Sequence, residues 1–288
     1  MRKVSRMRTR ICVMRAAARR TGDHRAGERR AARRTAGTRR RMVAALPALA
    51  AFVLLAPLSL PAEEMTGEDI IERMEENQTH PTSIVEGRMV INDRFGERTS
   101  TFIMHSEGED RFLVEFTSRD EDGQRILRRD DNLYLYYPDA REVIRLQGSA
   151  LRDSLLGSDL SYEDMTGGRG LLDDYRVNLQ GEEQIQGRNA YKIELEARGT
   201  NVAYPRQVYY VDAEDFVLLK SEQYARSGRQ LKEISVLETT RRNGYHFPIH
   251  LRIDDTTRRS SSTDMILESV EIGVDLPSNI FSLEELSW

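Results

Sequence analysis

From residue 63 onward the sequence predicts a mainly β chain with a few short helices (α+β), built on one antiparallel sheet. Three observations predict it. Apolar and charged residues alternate with period two in run after run, short turn signals separate the runs, and only two or three stretches have the spacing of a helix. Consecutive strands joined by short turns make an antiparallel meander, not a βαβ sheet.

Residues 1–62 differ in composition from the rest of the 288. Residues 1–41 carry fifteen Arg and one Lys against Asp23 and Glu28, a net of +14, and Met42 to Ala62 carry no charge. Basic then apolar is the order of an export signal, and Pro61-Ala62-Glu63 offers a cleavage point after Ala62. Pro47 and Pro57 argue against a lasting span, although the apolar stretch is long enough for the alternative, a retained anchor helix. The basic region is longer than an ordinary signal needs. Either translation starts at Met7 or Met14, or the leader is of an unusual kind; Thr38-Arg39-Arg40-Arg41-Met42-Val43 weakly resembles a twin-arginine signal. The expectation is a removed leader over 1–62, a single domain over 63–288 and a periplasmic location.

Those 226 residues hold 27 basic and 45 acidic side chains, a formal charge near −18. Such a chain is repelled by nucleic acid and by anionic lipid surfaces, which excludes a nucleic-acid partner. The one cysteine, Cys12, is in the leader. A disulfide framework, a thiolate metal site and a lipid anchor on a cysteine are therefore excluded after it.

Thr66-Gly67-Glu68-Asp69 has capping-box spacing, and Ile70, Ile71 and Met74 follow on one side of a helix ending near Asn77. The period then changes to two. Tyr191 to Arg198 is the cleanest strand, apolar at every odd position and charged at every even one. The pattern returns at Phe112–Phe116 and Ile249–Ile253, and more weakly at 89–91, 101–104, 133–137, 143–146, 208–211, 217–220, 234–237 and 265–272. Turn signals lie between, among them 108–110, 130–132, 186–189, 212–215, Ser227-Gly228 and Asn243-Gly244. One interruption breaks the meander: Leu151 and Leu155 four apart before Gly157 predict a helix, Ser161 to Asp164 offers a second helix cap, and 166–170 is a Gly-rich loop.

Ten or eleven strands each offer an apolar face, and few helices are available to cover them. The sheet either curls with a concave, helix-filled face or folds into a sandwich. If it curls, apolar surface in excess of the helices is a ligand site; a completely packed core is the alternative.

Enzymatic motifs are missing from the sequence: no nucleophile elbow, P-loop, H-E-x-x-H or dinucleotide fingerprint. His246 and His250 have helical metal spacing, but on a strand their rings would stand about 13 Å apart. Asp130-Asp131, Asp173-Asp174 and Asp254-Asp255 fall at turns and strand ends, where solvated carboxylates are expected. Gly167 to Gly170 suits a phosphate cradle or, more simply, a lid linker. The paired tyrosines, Tyr134, Tyr136 and Tyr137 in one strand and Tyr209 and Tyr210 in another, join an apolar body to a polar tip, as a pocket wall near water requires, and are also ordinary sheet formers.

Gly157-Ser-Asp-Leu-Ser-Tyr-Glu-Asp-Met165 resembles the signature of outer-membrane lipoprotein-sorting proteins, a branch of the periplasmic lipoprotein-carrier (LolA-like) superfamily. Asp131 to Pro138, Val208 to Asp212, Ser221 to Tyr224 and Asn243 to Ile249 are similar to the aromatic strand and later hairpins of that superfamily. The resemblance covers Met65 to the C-terminus. It implies an incomplete β-barrel around helices, an apolar cavity for lipid chains, no enzyme activity and no cofactor. The carriers' Arg-Pro pair before the third strand has no counterpart in His105 to Asp110, so classical lipoprotein hand-over is not implied. Implied partners are a lipid or lipidated protein cargo, an inner-membrane transporter and an outer-membrane acceptor, with the chain a monomer. The alternative is an envelope sensor or accessory protein that grips a membrane protein, such as an export pump of the resistance-nodulation-division type, through the same fold. The expected cavity wall and lid are Met89, Ile91, Ile103, Phe112, Val114, Phe116, Tyr134, Tyr136, Leu155, Leu160, Tyr162, Met165, Ile193, Leu195, Tyr209 and Val211.

Overall fold

The computed structural model describes residues 65–130, 132–165, 170–200 and 202–287. The leader assigned to 1–62 and the Gly-rich stretch 166–169 lie outside the described residues. No helix among those described is long and apolar enough to cross a membrane.

Helix α1 (Gly67–Gln78) starts as its sequence requires. The Thr66 hydroxyl accepts from Asp69 N and the Asp69 carboxylate accepts from Thr66 N, a complete capping box that pulls the Asp69 carboxyl below its usual range. Ile70, Ile71 and Met74 form its buried stripe.

The first meander comprises β1 (Thr82–Asp93), β2 (Gly96–Glu107), β3 (Arg111–Phe116), β4 (Arg125–Arg129), β5 (Asn132–Tyr137) and β6 (Glu142–Leu146). After a mid-chain segment and the short α2 (Leu171–Asp174), the second comprises β7 (Tyr175–Ile185), β8 (Arg188–Ala197), β9 (Arg206–Asp212), β10 (Leu218–Tyr224), β11 (Gln230–Arg242), β12 (Tyr245–Asp255) and β13 (Ser262–Ile272). A single turn, α3 (Leu283–Leu286), follows. The meanders join because β1 pairs antiparallel with β13, giving one open sheet of thirteen strands in the order β6-β5-β4-β3-β2-β1-β13-β12-β11-β10-β9-β8-β7.

Two strands, β4 and β7, are not foreshadowed by alternation. In β4 the adjacent Ile126 and Leu127 are both fully buried, on opposite faces, because each face is covered there. Strand β7 is an edge strand, mostly exposed after Tyr175, and so free to be polar. Asn243-Gly244 turns as its type predicts, with φ of 51° and 88°, and sets Arg242 opposite Tyr245.

The inner face of the sheet carries two coverings. Helix α1 lies over Ile193, Leu195, Tyr209 and Val211 of the β8–β9 region, and the mid-chain segment lies over β1–β5 and β11–β13. At Gly87 an added Cβ would come within 2.8 Å of Phe102 Cζ and 2.7 Å of Ile266 O, so only glycine lets that ring cross β1.

Candidate ligand-binding site

The mid-chain segment, residues 148–165, is not the helix its leucine spacing predicts. It is two 3₁₀ turns, Gly148–Arg152 and Leu155–Gly157, with Leu156 at φ 50° and Gly157 at φ 70°. Chain reversal wins over helix propensity here: Leu155 N donates to Leu160 O at 2.7 Å, and Ser154 bridges Ser161. The Ser161 to Asp164 capping hydrogen bonds also form, at 2.7 Å and 3.2 Å, but over a turn. Without regular structure the segment still places Leu155, Leu160 and Tyr162, all buried, and Met165, partly buried, on the inner face.

Beneath them are Met89 and Ile91 of β1 and Phe112, Val114 and Phe116 of β3. Phe102, Met104, Ile126, Leu133, Leu135 and Ile253 complete this surface. Ile193, Leu195, Tyr209 and Val211 belong to the separate cluster under α1, so the sequence-predicted wall is divided between two compartments.

Three expected wall residues are elsewhere. Ile103 pairs with Glu86 and Glu115, on the face opposite Phe102 and Met104. Tyr134 and Tyr136 also point outward, where with Leu113 and Leu127 they pack under Leu276, Ile280, Phe281 and Leu286 of the C-terminal segment. Both faces of β3–β5 are buried, so hydrophobicity alone does not tell in from out, and a one-residue error of phase exchanges the faces. Phase could have been found by pairing: Phe102 stands opposite Phe116, and Met104 opposite Val114.

Polar contacts fasten the segment to the sheet. The Asp159 side chain is wholly buried; Oδ2 accepts from Thr263 Oγ1 at 2.9 Å and Ser261 Oγ at 2.8 Å, and Arg258 Nη1 stands 3.7 Å from Oδ1. Asp164 accepts from Tyr204 OH at 2.7 Å and from the Lys232 ammonium, a pair whose side chains are 4% and 6% exposed. Burial raises the Tyr204 hydroxyl far above the usual phenol range, and the neighbouring Asp164 carboxylate adds to it. Arg98 Nη2 donates to Leu156 O at 2.7 Å, and Arg258 Nη2 to Gly157 O at 2.9 Å. A cavity of about 200 Å³ opens at this margin, lined by Leu160 together with Lys232, Tyr204, Asp159 and Arg152. No group of three or more His, Cys, Asp or Glu side chains among the described residues could hold a metal ion. Sequence reasoning missed Asp159, Asp164, Lys232 and Tyr204 as a set because Tyr204 and Lys232 lie 40 and 68 residues beyond Asp164 in the chain.

A family model described as "Uncharacterized protein" matches residues 108–288, more than half of the chain. No curated protein matches it. Among solved structures it is similar to a DUF1329 family protein from Desulfovibrio piger, with 27% identity over 76% of this chain and 97% of that one and a TM-score of 0.72. A putative outer membrane lipoprotein-sorting protein domain from Vibrio parahaemolyticus matches at 22% identity over 77% and 100%, TM-score 0.70. A LolA superfamily protein from Nitrosomonas europaea matches at 23% over 77% and 99%, TM-score 0.65. The chain belongs to the family of uncharacterized proteins that the matching model describes, and its thirteen-stranded open sheet has the LolA-like fold of the lipoprotein-sorting domain.

Proposed function

We propose that this chain is a non-enzymatic envelope carrier that receives an acyl chain or similarly apolar ligand on the inner face of its sheet, in place of residues 148–165. One observation carries the reading. The largest apolar surface of the sheet is covered by a segment of short turns whose leucines supply its apolar contacts and whose other fastenings to the strands are polar. Its removal breaks no strand pairing. The cost has two parts: the segment's buried apolar contacts, which an acyl chain of similar area restores, and the Asp164–Lys232 and Asp159 fastenings, whose groups must regain water as the segment leaves. The name of the Vibrio structure supports the same class of cargo, lipoproteins. In this reading the basic leader is removed near Ala62, the domain from 63 onward acts in the periplasm, and cargo passes from an inner-membrane transporter to an outer-membrane acceptor.

A second reading, an accessory protein that grips a membrane protein partner, is favoured by the edge of the sheet. Strand β6 is exposed along most of its length, and Val143 and Ile144 are 39% and 42% exposed on it. Such an edge can accept an added strand.

Purification under native conditions, lipid extraction and mass spectrometry test the first reading. Bound acyl species, with amide exchange in 148–165 faster than in the ligand-free protein, are expected. Empty protein that takes up no acyl probe would end it, and a crosslink from β6 to one membrane protein would then establish the second.

A further inference from the structure

The strands β1 and β2 run twelve residues each to a tip, Asp93-Arg94-Phe95-Gly96, at which Phe95 is 83% exposed, the most exposed of the large hydrophobic side chains among the described residues. The Arg94 guanidinium lies over the Phe95 ring, 4.6 Å from its centroid. The register of β1 with β13, Ile91 opposite Thr263 and Asn92 opposite Ser262, brings the turn that carries Arg258 and Arg259 beside the tip. A cleft of about 370 Å³ between them is lined by Phe95, Arg98, Gly157 and Arg258. Asp93 and Glu97 balance Arg94 and Arg98 in charge on the tip itself, but two of the nearby carboxylates are turned back onto the backbone. Asp93 accepts from Phe95 N at 2.7 Å, and Asp255 from Thr257 N at 2.8 Å; Glu97 is the remaining one on the tip.

An aromatic ring projecting from a hairpin, with one guanidinium stacked on it and two more lining the cleft beside it, has the composition of an element that meets a membrane interface. We propose that this tip is a phospholipid docking surface: Phe95 enters the headgroup and acyl boundary while Arg94 and Arg98 take phosphate oxygens. The acidic remainder of the chain does not forbid it. At physiological salt, charges more than about 8 Å from the lipid surface are largely screened, so local arginines decide the contact. The position is also apt. The cleft reaches Gly157, and Arg98 and Arg258 hold the carbonyls of Leu156 and Gly157, so lipid would arrive at the margin of the covering segment.

The test replaces Trp288, the sole tryptophan, by Phe and Phe95 by Trp in the protein isolated from the envelope. Vesicles of phosphatidylethanolamine and phosphatidylglycerol should shift the emission of the new tryptophan to the blue and expose it to quenching by brominated acyl chains. A tryptophan at Leu179, on the edge strand β7, should report no shift. Adding Arg94→Ser should weaken the vesicle titration about fivefold, the contribution of one basic residue near an anionic surface. An unshifted emission from position 95 at saturating lipid, as a protein-only partner would give, or equal shifts at 95 and 179, would overturn the proposal. No ligand is needed for this readout, so it stands or falls separately from the carrier reading.

Discussion

Lys232 of β11 and Asp164 of the mid-chain segment form an ion pair that solvent hardly touches, with Tyr204 OH and the Ser161 amide and hydroxyl filling the carboxylate's other positions. Taking two charges out of water is expensive, and only a full set of partners repays it. Lys232→Met leaves the carboxylate uncompensated and should cost about 3–5 kcal/mol, whereas pairing it with Asp164→Leu should restore much of the loss. Denaturant unfolding of both variants, with amide exchange read over 148–165, checks this; equal destabilisation by the single and double changes would remove the pair from its anchoring role.

Leu155 is 1% exposed and belongs to the segment, not to the sheet it covers. Leu155→Ala should cost about 2–5 kcal/mol, borne by the closed position of the segment. Binding of an environment-sensitive apolar dye should therefore rise while the circular dichroism of the sheet is unchanged.

Charge placed on each side of β3–β5 should have different consequences. Phe112→Asp puts a carboxylate on the inner face and should abolish uptake of an acyl probe. Tyr136→Asp acts on the outer face, beneath Phe281 and Leu286. It should destabilise by several kcal/mol and free the C-terminal segment to proteolysis, with uptake by the folded fraction unchanged. Lys192→Asp, where the ammonium bonds Glu183 at 2.6 Å on the outside, should leave uptake as it is. A probe titration and limited proteolysis of the three variants separate these outcomes.

Acid should destabilise the fold through two histidines. Burial lowers the pKa of His105, against the opposing pull of Glu115, and lowers that of His246 despite Asp215. With the folded pKa depressed, the unfolded chain binds more protons. Stability is then complete above the unfolded value of about 6.5 and falls as pH drops through the folded values. Melting temperature should decline below about pH 6.5, and His105→Gln with His246→Gln should flatten that decline; an unchanged slope would assign it to carboxylates.

The antiparallel meander, α1 with its cap, and the Asn243-Gly244 hairpin were all legible in the sequence. Each depends on neighbours within a few residues: a hydroxyl three before a carboxylate, alternation along one strand, an Asn-Gly pair. Less was legible of the site. The leucines of 148–165 read as a helix because their spacing is helical, yet the hydrogen bonds that fold the segment back run between Leu155 and Leu160 and from it to Arg98 and Arg258.

The sequence by itself determined that most of the strands exist, that they are antiparallel, and that few helices are available to cover their apolar faces, because periodicity and turn chemistry are local. Only the tertiary structure decided which face is inner, that β1 closes on β13, and that a turn-built segment rather than a helix covers the larger cluster. Those choices depend on strand register and on partners such as Asp164 with Lys232, far apart in the chain, whose energies appear only when the sheet has assembled.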